Sequence, residues 1–137
     1  MVDALCRSRD WLKADGCLID LRPADPTPEV MVGSKDQSRS VGTLTVETAR
    51  RQRHAAADRA LALVLDRRLF ILEEAHEFIF VRFADTADEL QDYVASKWKE
   101  TRLDEITHRR AAEALSIRPD GRLWLREEVA IRRLRPV

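Results

Sequence analysis

Two long stretches of β-forming residues constrain this chain more than any other feature. The first occupies residues 70–83 and holds the uninterrupted apolar run 78–81, and the second occupies residues 122–134. Because β-formers lie on both faces of the first stretch, its C-terminal half is predicted to be a central strand. The second stretch alternates apolar and charged residues, which predicts one solvated face. That solvated face favours antiparallel pairing of the two strands.

Helical spacing of apolar residues fills most of the remaining chain. Thr86 and Glu89 form a capping box, in which a threonine side chain accepts from the backbone N–H three residues later and the acidic side chain reaches back. A helix is therefore predicted to start at Asp85. The other predicted helices occupy residues 3–14, 46–68 and 104–117.

Shorter strands complete the predicted sheet. One occupies residues 17–21, and a hairpin is expected from strands at 29–33 and 41–46 with the polar loop 34–40 between them. The length of 137 residues suits one domain, spanning 1–137. The expected fold class is α+β, with a mixed, largely antiparallel sheet of about four or five strands packed against three or four helices.

Composition excludes several classes of protein. Lys plus Arg and Asp plus Glu each total 24, so the net charge is zero and a polybasic nucleic-acid binder is not expected. No apolar run reaches the length of about 18 residues that a membrane helix needs, and no secretory leader is recognisable. We therefore expect a cytoplasmic protein without a nucleic-acid or membrane partner.

This sequence contains no complete catalytic or metal-binding motif. The two cysteines, Cys6 and Cys17, fit neither a disulfide framework nor a zinc pattern, so no metal site is expected. The four glycines do not cluster, and the glycine-rich phosphate-binding motifs are missing from the sequence. The identity of any catalytic or cofactor-binding residue therefore stays unknown at this stage.

Four residues are nevertheless candidates for chemistry. Asp20 and Arg22 end the first predicted strand, where open α/β sheets gather ligands, although they could equally form a local ion pair. Glu74 and His76 lie close together in the strand 70–83 and would serve proton transfer if they faced a cleft. The alternative for this second pair is a polar strand rim without a chemical role.

The segment from Ala4 to Leu21 resembles part of the class I S-adenosylmethionine-dependent methyltransferases. In that family a helix ends in a turn of the type Leu-Lys-Pro-Gly-Gly and leads into the fifth strand of a Rossmann-like sheet. Here the turn runs from Leu12 to Gly16, with Ala14 at the proline position and Asp15 at the first glycine. The downstream order is also similar, because a helix, a long strand, further helices and a last strand follow. The family closes its sheet at this point with an antiparallel pair.

This resemblance covers nearly the whole chain, but only as the C-terminal half of the methyltransferase fold. The glycine-rich cofactor loop and the acidic ribose-binding residue belong to the other half, so no cofactor-binding residue is assigned here. The resemblance implies a methyltransferase-like fragment or a non-catalytic subunit, inactive by itself. S-adenosylmethionine would then bind only together with a missing partner or segment. If the chain is an enzyme at all, the resemblance implies a methyltransferase.

Half of a doubly wound sheet would expose a strand edge and an apolar face, and both need cover. We therefore expect a homodimer or a complex with a protein partner, formed sheet to sheet or through the helix 46–68. An alternative function is a stand-alone dimeric α+β domain that binds a small molecule. A third is a small enzyme that uses His76, Glu74 or Asp20.

Overall fold

The computed structural model describes residues 1–34, 37–118 and 120–137. Within these ranges the chain is α+β, with four helices and an antiparallel sheet of five strands beside a small two-stranded sheet. The elements follow in the order α1 (Val2–Trp11), β1 (Leu18–Pro23), β2 (Glu29–Gly33), β3 (Ser38–Thr43), β4 (Thr45–Val46), α2 (Thr48–Asp66), β5 (Phe70–Ala84), α3 (Ala87–Lys97), β6 (Thr101–Arg102), α4 (Glu105–Ile117) and β7 (Arg122–Pro136).

The last strand, β7, is the centre of the main sheet. One edge pairs with β5 along nearly its whole length, from Ala84 opposite Leu123 to Phe70 opposite Pro136. Along the other edge, the C-terminal half of β7 pairs with β1 and the N-terminal half of β7 pairs with β2. The strand β3 continues the sheet beyond β2. Every strand pairing among the described residues is antiparallel. The expected antiparallel pairing of the two long strands is confirmed.

The prediction of a central strand at 70–83 is wrong, because β5 lies at the edge of the sheet. Only its two end residues, Phe70 and Ala84, are buried. The central strand is β7, whose charged residues suggested a solvated face. Two of these charges pair with neighbouring strands, Arg126 with Glu29 on β2 and Arg132 with Asp20 on β1, whereas Arg122 and Glu128 stay exposed, as a solvated face requires.

Two hydrophobic clusters cover opposite faces of β7 at its two ends. Residues paired across an antiparallel sheet share a face, and neighbours along a strand alternate between faces. Leu123 and Leu125 pack under α3 and α4, whereas Leu134, on the opposite face, packs under α1 and α2. The first cluster is the larger and includes Val30, Val32, Leu44, Leu90, Val94, Leu103 and Ala111; the second includes Leu61, Val64 and Phe70.

The capping box expected at Thr86 is present, but several bounds differ from the sequence prediction. Thr86 Oγ1 accepts from the Glu89 backbone N–H at 3.0 Å, and the Glu89 carboxylate accepts from the Asp85 N–H at 2.7 Å, which confirms the capping box. The helix α1 ends at Trp11 rather than at residue 14. The second hairpin strand begins at Ser38, and a separate short strand, β4, pairs with β6. Lys35 and Asp36 of the predicted loop lie outside the described residues.

The end of α2 carries a backbone conformation that its sequence does not favour. Arg68 adopts a φ of 54°, in the left-handed region. The Leu69 N–H donates to the Val64 carbonyl and the Arg68 N–H donates to the Leu65 carbonyl. This is the Schellman arrangement, in which glycine is the preferred residue at the left-handed position because it has no Cβ. A side chain at this position costs about 1–2 kcal/mol.

Replacing Arg68 by glycine is therefore expected to raise the free energy of unfolding by about 1 kcal/mol, because the left-handed penalty disappears while the added freedom of the unfolded chain offsets part of the gain. Urea unfolding followed by circular dichroism measures the difference. Arg67→Gly is the matched control, since Arg67 has a φ of −74° and is expected to lose stability on the same change. An equal effect at both positions would contradict this explanation.

Candidate protein-interaction site

Asp20 and Arg22 belong to an ion-pair network that ties β1 to β7 and α2. Asp20 Oδ2 accepts from Arg22 Nε and from Arg132 Nη1, both at 3.0 Å. Arg22 Nη1 lies 2.9 Å from Asp58 Oδ1, although it is too misaligned there for a hydrogen bond. The side chains of Asp20 and Arg22 are about four-fifths or more buried. Their carboxylate and guanidinium are thus engaged with other parts of the chain.

His54 extends the same network at its edge. Its Nε2 lies 2.7 Å from the Pro23 carbonyl, and its Nδ1 lies 3.4 Å from Asp58 Oδ2. Since a carbonyl only accepts, Nε2 carries the proton of that hydrogen bond. The histidine therefore links α2 to the end of β1. This role corresponds to the local ion pair that the sequence left open as an alternative for Asp20 and Arg22.

Glu74 and His76 do not meet the first pair of candidates. In the β5–β7 register Glu74 lies opposite Arg133 and His76 lies opposite Ile131, whereas Asp20 lies opposite Arg132 on the other face of the sheet. Both Glu74 and His76 are exposed. The four candidate residues therefore form two separate groups rather than one site. Among the described residues no cluster of three or more potential ligands could hold a metal ion.

A broad apolar area surrounds Glu74 and His76 instead. We use the name open face for the sheet surface formed by Ile19, Leu21, Phe78, Phe80, Val129 and Ile131. The register places Leu21, Ile131 and His76 in one row across three strands, and Val129 and Phe78 in the next. Ile19 and Leu21 are 51% and 58% exposed, and Phe78 and Phe80 are 45% and 47% exposed. The helices α1 and α2 pack on the opposite side of this part of the sheet.

The edge strand β5 is apolar on its second face as well. Ile79, Val81 and Phe83 alternate with the open-face residues and are exposed to a similar extent. In the described ranges β7 is the only strand that pairs with β5, so the outer backbone edge of β5 has no strand partner. Proteins usually interrupt such an edge with proline, lysine or repeated charges. The segment 78–81 has none of these.

The exposed apolar side chains of β5 form a surface large enough to expect cover. Three half-exposed phenylalanines and four aliphatic residues (Ile71, Leu72, Ile79 and Val81) present about 600 Å² of accessible surface, divided between the two faces of the sheet. Each face therefore carries about 300 Å², within the range of the largest apolar patch of a typical monomer.

A partly buried carboxyl lies beside the open face. Glu127 is opposite Phe80 on β5, and burial raises the pKa of its carboxyl above the ordinary value of 4.5, while the nearby positive charge of Arg50 acts in the other direction. Folding therefore makes this carboxyl easier to protonate. No pattern in the sequence singled out Glu127, because its partial burial depends on residues that are distant in the chain.

A cleft of about 680 Å³ lies at the other end of the sheet. It is lined by Phe83, Trp124, Arg122, Asp120 and the start of β3. Phe83 and Trp124 stack at a tilt with ring centroids 6.0 Å apart. Arg122 Nε lies 3.7 Å from Asp85 Oδ1, so an anion in the cleft would compete with Asp85 for this arginine. The cleft is partly enclosed by these side chains.

Comparisons of this chain with family models, with curated proteins and with solved structures found no match. No helix in the described part of the chain is long and apolar enough to span a membrane.

Replacing Glu127 by glutamine is expected to stabilise the protein at neutral pH, because the raised folded-state pKa makes ionisation costly. The contribution of Glu127 to stability is complete below its unfolded pKa, near 4.5, and is lost as pH rises through the folded pKa. The gain of the variant should therefore shrink below pH 4.5. Urea unfolding at neutral and acidic pH measures it. Glu128→Gln, a neighbouring exposed position, serves as control; a gain that does not depend on pH would contradict the assignment.

Proposed function

We propose that this chain is a non-catalytic, methyltransferase-like subunit that works by associating with another protein chain, including a second copy of itself. The observation that carries the proposal is the apolar surface of β5, which is exposed on both faces and along its outer edge. Burial of apolar surface is the main driving force of stable association. An edge strand with this composition favours an assembled state over an isolated chain.

The topology of the main sheet supports the methyltransferase-like part of the proposal. The strand β7 lies between β1 and β5 and runs antiparallel to both. This agrees with the antiparallel pair that the resemblance predicts at the end of the chain. The helix α1 and the turn from Leu12 to Gly16 precede β1, in the order that the resemblance expects. The half of the fold that the resemblance covers is the half without the cofactor loop.

The packing of the candidate residues also favours association over catalysis. Asp20 and Arg22 are held by charges of their own chain, and Glu74 and His76 stand on an apolar surface rather than in a cleft. A small-molecule site would be best placed at the Trp124 cleft. The Asp85 carboxylate beside Arg122, which would compete with an anionic ligand, makes this second function less favoured.

Sedimentation velocity over a wide range of concentrations tests the association. The wild-type chain is expected to sediment with twice its own mass, and Phe78→Asp is expected to sediment as a folded monomer, because a carboxylate would replace an apolar side chain at the centre of β5 and would lose hydration on association. Ile106→Asp is the matched control, since Ile106 is 54% exposed on α4, outside β5. A wild-type chain that stays monomeric at every concentration would overturn the proposal.

Calorimetric titration with S-adenosylhomocysteine tests the non-catalytic part. We expect no binding heat from the purified chain, because the resemblance assigns the cofactor loop to the half of the fold that is not matched here. Binding in the micromolar range would contradict this part, since the assembled chain would then form a cofactor site of its own. The titration is run on the wild type and on Phe78→Asp, so that a site built by association is recognised.

A further inference from the structure

We infer that two copies of this chain associate by antiparallel pairing of their β5 edges, with a two-fold axis at Phe78. The inference rests on the proposed function and adds to it the partner, the edge and the register. The strand β5 is 15 residues long, and the outer edge of this strand has no partner strand within the described ranges. Pairing with a second β5 would join two five-stranded sheets into one continuous sheet.

Symmetry restricts the possible registers. A two-fold axis perpendicular to the sheet keeps each face continuous across the junction, so that residues opposite each other share a face. Because residues alternate between faces along β5, opposite residues must both have even numbers or both have odd numbers. The axis therefore passes beside one residue of β5 and not between two. Residues of even number from Glu74 to Ala84 share one face, because β5 pairs with β7 without a further shift in this range.

Charge complementarity selects one register among these. An axis at Phe78 places Glu74 of each copy opposite Arg82 of the other, which makes two opposite-charge pairs. An axis at Glu77 would set Glu74 against an apolar residue, and an axis at Ile79 would set Arg82 against His76. Cross-strand pairs of opposite charge stabilise a sheet, and like charges directly opposite each other destabilise it.

Both charged groups are suited to such a contact. Among the described residues, Glu74 and Arg82 have no ion-pair partner, since Arg133 and Arg135 bind the neighbouring Glu73. The Arg82 guanidinium lies over the Tyr93 ring, 4.7 Å from its centroid, which holds the arginine beside the open face. A cation stacked in this way keeps its N–H donors available to a carboxylate.

The apolar residues agree with the same register. Phe78 of one copy would face Phe78 of the other on the axis, and Phe80 would face His76 on the same side. On the second face Val81 would lie opposite Ala75, and Ile79 would lie opposite the stem of Glu77. The pairing therefore closes the backbone edge of the run 78–81 against the other copy, at the part of β5 that lacks interrupting charges, and the side chains of the two copies meet side by side on each face.

The test uses two single charge reversals in the full chain, Glu74→Arg and Arg82→Glu, with dimer dissociation constants from sedimentation equilibrium. Each reversal creates two like-charge pairs across the axis, so each variant by itself should dimerise roughly tenfold more weakly than the wild type. One variant carries cations at both positions and the other carries anions at both. An equal mixture should therefore recover dimerisation to near the wild-type level.

Glu77→Arg is the matched control, because it makes the same change of charge on β5 but faces Ile79 in this register. By itself it should dimerise like the wild type, because both Glu74–Arg82 pairs are intact. Circular dichroism establishes that each variant is folded, including Arg82→Glu, which also loses its contact with Tyr93. A wild-type monomer overturns the proposed function itself. A wild-type dimer whose mixed variants bind no better than the single variants overturns only the register.

A second measurement is independent of charge. Phe78→Cys lies on the axis and should form a disulfide with its own copy under oxidation, because residues opposite each other across a strand pair approach within disulfide range. Val81→Cys should not, since its copies would be separated by several residues along the strand. The wild type, with its half-buried Cys6 and Cys17, provides the background. Equal cross-linking of both variants overturns the register.

Discussion

Backbone pairing on both edges of β7 is the constraint on which the rest of this structure depends. The strand contacts β5 along one side and both β1 and β2 along the other. Its two ends carry the two hydrophobic clusters on opposite faces, so α1 and α2 are positioned at one end and α3 and α4 at the other. Without β7 neither cluster would have a central strand to pack against, and β1 and β5 would have no strand that pairs with both.

Charges inside the sheet fix how its strands align. Arg132 on β7 meets Asp20 on β1, and Arg126 on β7 meets Glu29 on β2. Each half-buried pair contributes little net stability, because the loss of hydration offsets most of the attraction. A shift of one residue would nevertheless move each charge to the other face and leave it without its partner. These pairs therefore specify the register more than they add to the free energy of unfolding.

The edge strand β5 differs from β7, because most of its apolar side chains are exposed. Its apolar side chains face water on both sides, which is unfavourable for an isolated chain and favourable for a chain that binds another protein. A buried central strand has the same sequence pattern as an edge strand that binds another chain, since both need β-formers on two faces. The wrong prediction of a central position for residues 70–83 has this cause. The candidate site was predictable only in its residue types, because the open face combines residues from β1, β5 and β7.

The sequence by itself determined the local features: the α+β class, the approximate positions of the helices and long strands, the capping box at Thr86 and the antiparallel pairing of the last two long strands. Each of these follows from spacing and side-chain chemistry within one segment. Only the tertiary structure decided which strand is central, which charges meet and which apolar residues stay exposed. Alternation along a strand records how its side chains divide between two faces, but not which elements cover those faces or lie beside its edges. Those neighbours come from residues far away in the chain, and their packing is the reason why β7 is enclosed and β5 is not.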